Sequence, residues 1–160
     1  SHSEPNHPAS YLNDKVIARK KSIANTWIAK SEQASVGILF GDAGILKPRF
    51  VDNLTLYYVE NQEYVAVEPT FIDYYVGNEP ALPRTPNHLD KDSALKQEKN
   101  WRPVSAIRKV SSDKDEELRF EFDKVKTYAL RLRFESLTSP LALTELQVYA
   151  KKVKKSVDRK

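Results

Sequence analysis

Residues 127–150 read TYALRLRFESLTSPLALTELQVYA, and the fold follows from how this stretch divides. In its first half Leu130, Leu132 and Phe134 alternate with Arg131, Arg133 and Glu135. Successive side chains of a strand point to opposite faces, so this spacing describes a strand with one face buried and the other in water. The second half repeats the pattern, with Leu146 and Val148 set against Glu145, Gln147 and Tyr149. Residues 136–140 separate the two runs, because Ser and Thr favour turns and Pro has no N–H to give a ladder. Both runs are expected to serve one core. Glu145 stands out in it as a carboxylate between apolar neighbours.

Similar runs lie upstream. Residues 35–40 (SVGILF) and 50–59 (FVDNLTLYYV) are strand-like, the second with Leu54, Leu56 and Tyr58 on one face. Residues 70–77 (TFIDYYVG) set Ile72, Tyr74 and Val76 against Phe71, Asp73 and Tyr75, and Leu118, Phe120 and Phe122 alternate with Arg119 and Glu121. Thr26-Trp27-Ile28 and residues 101–104 are shorter β-prone pieces. Gly41-Asp42 and residues 61–63 read as turns. Residues 78–100 form a long irregular insert: Pro80, Pro83 and Pro86 precede DKDSALKQEK, which has room for two helical turns at most. Short strands at this spacing, with no amphipathic helix, predict an all-β fold, an antiparallel β-sandwich of the jelly-roll type. The expected organisation is a flexible N-terminal linker over residues 1–10, one sandwich over 11–150 and a basic linker over 151–160. With no Met anywhere, the chain is expected to be a piece of a longer one.

Composition excludes several function classes. At 160 residues with 40% hydrophobic content the chain can bury a two-layer core. No apolar run approaches the ~20 residues of a membrane helix. Without Cys there is neither a disulfide nor a thiolate. The net charge of +4 does not mark a nucleic-acid site, because residues 151–160 hold six cations and one anion and leave the other 150 residues at −1. A like-charged tail is a solvated segment rather than a folded basic face. Carboxylates number 22, but no pair is spaced as a glycosidase dyad, and no nucleophile elbow, phosphate loop or zinc motif is present. No catalytic residue is therefore assigned.

Taken in order, the segments carry a resemblance. Asn13-Asp14 in a turn is followed by Thr26-Trp27, a strand ending Phe40-Gly41, then VDNLTLYY, YYVG, NWRPV, ELRFEF, YALRLRF and LTELQV. This order resembles the galactose-binding jelly-roll superfamily, which includes discoidin and coagulation factor type C domains and many carbohydrate-binding modules. It is most similar to modules appended to Gram-positive surface β-galactosidases, in which a Pro-rich insert after YYVG is familiar. The resemblance implies a non-catalytic, lectin-like module recognising galactose-containing glycans of the lactose or N-acetyllactosamine type. Such a module would be a monomeric part of a multidomain glycoside hydrolase that is secreted or attached to the cell wall. The alternative is an adhesion module on the same fold, binding a protein or host-cell surface with no sugar site.

The resemblance also implies that the ligand loops gather at one end of the sandwich, around Trp27, residues 28–34, residues 61–64 and residues 136–140. Sugar recognition needs an apolar platform for the ring and directional polar groups for its hydroxyls. Trp27 with Lys30 and Gln33 is one candidate set, and Asn61 with Tyr64 is a second. Arg84, Asn87 and His88 in the insert are a third. Trp27 also has a plain reading as core, since large aromatic residues are highly buried on average, and Trp101 is expected to be core. The loops lack large apolar spikes, so no membrane insertion is expected. In relatives a structural Ca²⁺ is wrapped by the first loop, and Asp14, Thr26 and Glu145 match its ligands by position. Lys15 stands where many relatives have Gly, so the expected partner of Glu145 is either Ca²⁺ or a cation such as Lys15.

Overall fold

A computed structural model describes residues 27–30, 32–42, 45–82, 92–112 and 116–150. Among them eleven strands run in order: β1 (Trp27–Ala29), β2 (Ala34–Leu39), β3 (Gly41–Asp42), β4 (Ile45–Leu46), β5 (Arg49–Tyr58), β6 (Phe71–Tyr75), β7 (Trp101–Pro103), β8 (Arg108–Val110), β9 (Glu117–Thr127), β10 (Ala129–Phe134) and β11 (Leu141–Tyr149). They form a five-stranded sheet in the order β1-β11-β5-β9-β8, a four-stranded sheet β2-β10-β6-β7, and the small hairpin β3-β4. Every pairing is antiparallel. This is the expected β-sandwich.

The core lies where the apolar faces meet. Leu130, Leu132 and Phe134 of β10 come from one sheet, and Leu54, Leu56, Phe120 and Leu146 from the other; all are buried in one cluster. Full burial of each such side chain stabilises the fold by roughly 1.5–3 kcal/mol. The alternation read in residues 127–150 is therefore what joins the layers. Thr127 holds the corner between β9 and β10: its buried hydroxyl donates to the Tyr75 carbonyl at 2.8 Å and accepts from the Tyr75 N–H at 3.1 Å.

Strand β11 departs from simple alternation. Leu141 to Leu146 are six buried residues in succession. Two causes combine: the register with β5 shifts between Leu143 and Glu145, and Ala142 joins Ile28, Val59 and Tyr64 in a second apolar cluster on the sheet's outer face. A bulge of this kind re-aims the residues around it.

Two other details differ from the sequence reading, and a third agrees with it. Gly41-Asp42 is a strand, β3, rather than a turn; a Cβ on Gly41 would lie 2.6 Å from the Ile45 carbonyl, so only glycine admits this close pairing. β8 follows a crossover from one sheet to the other at residues 104–107, and its sequence, RKV, has too few apolar residues to show a pattern. Within the insert, the two turns of DKDSALKQEK are short 3₁₀ segments, Ala94–Lys96 and Glu98–Asn100. Ser93 caps the first through its Oγ, and Leu95 is buried against Tyr75, Trp101 and Ala129. Trp101 donates its indole N–H to the Leu95 carbonyl at 3.0 Å, so it is a core residue as expected.

Candidate functional site

Strand directions fix two ends. β1 leads into residues 30–33, β5 into 59–70 and β10 into 135–140, and all three connections emerge at the same end of the sandwich. The end is cross-tied: the Leu137 N–H donates to the Glu32 carbonyl at 2.8 Å, and the Glu135 N–H to Thr70 Oγ1 at 3.0 Å. Ser136 has φ +58°, a left-handed conformation that costs a non-glycine residue about 1 kcal/mol and is held here by those ties. A polar loop region is thus held by bonds that run between its separate connections.

Lys30 and Gln33 are exposed in the first of these connections, on either side of residue 31. Asn61 sits in the second, where its Oδ1 accepts from the N–H groups of Glu63 and Tyr64 at 2.8 and 2.9 Å, and its own N–H donates to the Tyr64 carbonyl. The Asn61 side-chain oxygen therefore shapes a turn, and that turn does not use its side-chain amide nitrogen.

The two expected stacking rings are elsewhere. Trp27 is 0% exposed and paired with Leu143 inside the core, and Tyr64 is 3% exposed beside Ile28, Val59 and Ala142. Neither offers a face to a sugar, and both expectations are corrected. The physical reason is area: an aromatic ring removes 150–250 Å² from water, worth on the order of 4–6 kcal/mol, and an edge strand as short as β1 needs that anchor. The Trp27 indole N–H has no acceptor among the described residues.

Arg84, Asn87 and His88 lie outside the described residues, as do Asp14, Lys15 and Thr26. The insert that carries the first three leaves from the end of β6 and returns at the start of β7, at the opposite end from residues 30–33 and 135–140.

Glu145 faces outward from the five-stranded sheet opposite Tyr57, yet it is only 2% exposed. Glu117 flanks Tyr57 on the other side and is also buried; it accepts from Ser112 Oγ at 3.1 Å and pairs with Arg119 at 3.5 Å, while its Oε2 has no partner among the described residues. Burial, and then the charge of Glu117, push the Tyr57 phenol above its ordinary value of 10.0. No group of three or more His, Asp or Glu residues among those described is placed to hold a metal ion. Glu145 fits the implied Ca²⁺ as a covered carboxylate two residues from Leu143, whose strand partner Trp27 directly follows Thr26.

On the four-stranded sheet the outer face carries a charged lattice. Asp73, 2% exposed, accepts from Arg131 Nη2 at 2.9 Å and from Arg133 Nε at 2.7 Å. Glu98, from the insert's second 3₁₀ turn, takes two further bonds from Arg131, at 2.7 and 2.9 Å, which hold its carboxyl below the usual 4.5. Arg131 also stacks on Trp101 and Arg133 on Phe71, with centroid distances of 4.6 and 4.2 Å. Sequence reading put Arg131 and Arg133 on one outward face but had no means of finding the register that brings Asp73 between the two arginines.

The two antiparallel sheets and the cross-tied polar loop end are the architecture of the galactose-binding-domain class. A family model for the β-galactosidase-like galactose-binding domain, the BgaA-like carbohydrate-binding module, matches residues 1–146. The chain belongs to that family, whose members are carbohydrate-binding modules. Of solved structures, a chain from work on the Streptococcus pneumoniae β-galactosidase BgaA is 37% identical, with a TM-score of 0.80 over 94% of this chain and 89% of that one. The lectin domain of lectinolysin, complexed with Lewis B antigen, has a TM-score of 0.57 at 15% identity, over 95% of this chain and 90% of that one, and shares the fold. No curated protein matches the chain.

Proposed function

We propose that this chain binds galactose-containing glycans of the lactose or N-acetyllactosamine type through its loop end, and holds a parent glycoside hydrolase against glycan-bearing surfaces. The observation that carries the reading is the joint placement of Lys30, Gln33, Asn61 and residues 135–140 at one end of a fold whose family is galactose-binding. Binding is passive: the side chains donate to and accept from sugar hydroxyls, and no bond is made or broken. Weak individual contacts suffice, because tethering several modules in one chain raises the effective concentration of each. Such a module acts outside the cell, secreted or wall-attached; no helix among the described residues is long and apolar enough to cross a membrane.

A glycan array on the purified domain tests this reading. Signal restricted to terminal galactosides supports it, while a blank array with capture of a host-surface protein favours the adhesion alternative. Trp27→Ala is the wrong probe, since emptying a core tryptophan site costs about 3–5 kcal/mol. Lys30→Ala and Gln33→Ala leave the core intact and are expected to weaken binding.

The same proposal includes one structural Ca²⁺ held by Glu145 with Asp14 and Thr26. Bound there, the ion would tie the segment before β1 to the last strand and neutralise a buried carboxylate. EDTA is then expected to lower the melting temperature, and calcium should appear in elemental analysis. An unchanged melt with no calcium would instead leave a cation such as Lys15 in that role.

A further inference from the structure

With Trp27 and Tyr64 buried, a sugar at the loop end lacks the apolar surface that its C–H face needs. Phe71 supplies one. It opens β6, so it stands at the loop end of the four-stranded sheet, on the outer face, with 37% of its surface exposed. On one flank its ring meets the Arg133 guanidinium at 4.2 Å. On the other flank the neighbouring strand has ended: β7 pairs with β6 only from Asp73 to Tyr75, and a last bond runs from the Val104 N–H to the Ile72 carbonyl. That side of the ring faces no strand.

The polar groups beside it are held in place. Arg133 donates Nε to Asp73 at 2.7 Å and Nη1 to Glu135 at 3.2 Å, which fixes its plane and leaves Nη2 uncommitted among the described residues. Glu135 is set by its N–H bond to Thr70 Oγ1. Across the lattice three carboxylates, Asp73, Glu98 and Glu135, face two guanidiniums, so an anionic sugar gains nothing there.

We propose that Phe71 is the platform of a carbohydrate subsite for a neutral galactoside, with Arg133 and Glu135 as positioning residues behind the ring. The pyranose ring lies on the open face of Phe71, while Arg133, stacked on the opposite face at 4.2 Å and bonded to Asp73 and Glu135, keeps the ring from turning. Galactose suits the platform because its axial 4-hydroxyl leaves the opposite face of C3 to C5 apolar, whereas the equatorial hydroxyl of glucose does not give that face the same shape. The inference rests on the galactoside reading above and gives it a platform.

Calorimetric titration with lactose of the unmodified chain, Phe71→Leu and Arg133→Lys tests it. Phe71→Leu keeps apolar contact but removes the ring, and is expected to lose at least tenfold in affinity; Arg133→Lys loses less. If the unmodified chain binds lactose and Phe71→Leu binds as tightly, the subsite is overturned while the galactoside reading stands. If no galactoside binds the unmodified chain, both fall. Should Phe71→Leu fail to fold, magnetisation transfer from the Phe71 ring to lactose protons in the unmodified chain decides: transfer supports the subsite, and its absence overturns it.

Discussion

The two outer faces of the sandwich bury carboxylates in opposite ways. On the four-stranded sheet, Asp73 is enclosed by two arginines that also stack on Phe71 and Trp101. On the five-stranded sheet, Glu117 has one oxygen satisfied and one bare among the described residues, next to Tyr57, whose phenol is pushed above its ordinary value first by burial and then by that charge. The first face is electrostatically closed by residues of the same sheet and the insert. The second answers its carboxylate only in part: Glu117 has Ser112 and Arg119 on one oxygen and no partner for the other among the described residues. Burial of a charge thus means something different on each side of the same core.

The largest effect expected from this contrast is at Asp73. Asp73→Ala leaves two partly buried guanidiniums without their shared acceptor and is expected to cost about 3 kcal/mol, read as a lower denaturation midpoint at unchanged m value. Glu117→Gln removes a charge already short of partners, and its cost should stay within about 1 kcal/mol. Equal losses from the two substitutions would erase the distinction between the faces.

Two titrations sharpen it with smaller effects. Tyr57 should ionise above its ordinary value of 10.0, and Glu117→Gln should bring it part of the way back, followed by ultraviolet absorbance. A raised folded-state value means that this phenol's contribution to stability is complete below the unfolded value and is lost as pH rises through the folded one. Glu98 carries the opposite sign: its lowered value makes its pairing with Arg131 stabilising above 4.5 and lost as pH falls through the folded value. Because Glu98 is largely exposed, the effect on stability is small and is better followed by its carboxyl chemical shift, which Arg131→Ala should return towards 4.5.

The layers were legible in the sequence because period-two alternation and core burial express the same physical fact: Leu130, Leu132 and Phe134 point inward wherever their strand is placed. What alternation cannot carry is register and cover. It set Arg131 and Arg133 outward as solvated charges and left Asp73 on one side of an alternating strand, and only strand pairing shows that they neutralise one another. It left Trp27 between core and platform, and the pairing with Leu143 decides for core. The β3-β4 hairpin and β8 were missed because two or three residues are too short to show a period. At the candidate site the polar set was legible by type, while the exposed ring beside it, Phe71, read only as one position of an alternating strand. Its exposure depends on where β7 stops, which is a matter of topology.

The central claim is that the glycan is met at the end carrying residues 30–33, 59–70 and 135–140. Amide chemical shifts of the isotopically labelled domain, followed during a lactose titration, test it directly. The account predicts saturable shifts at Lys30, Gln33, Asn61, Phe71, Arg133 and Glu135, with none in the β3-β4 hairpin at the opposite end. Shifts concentrated in that hairpin and in residues 76–82, with the loop end silent, would contradict it.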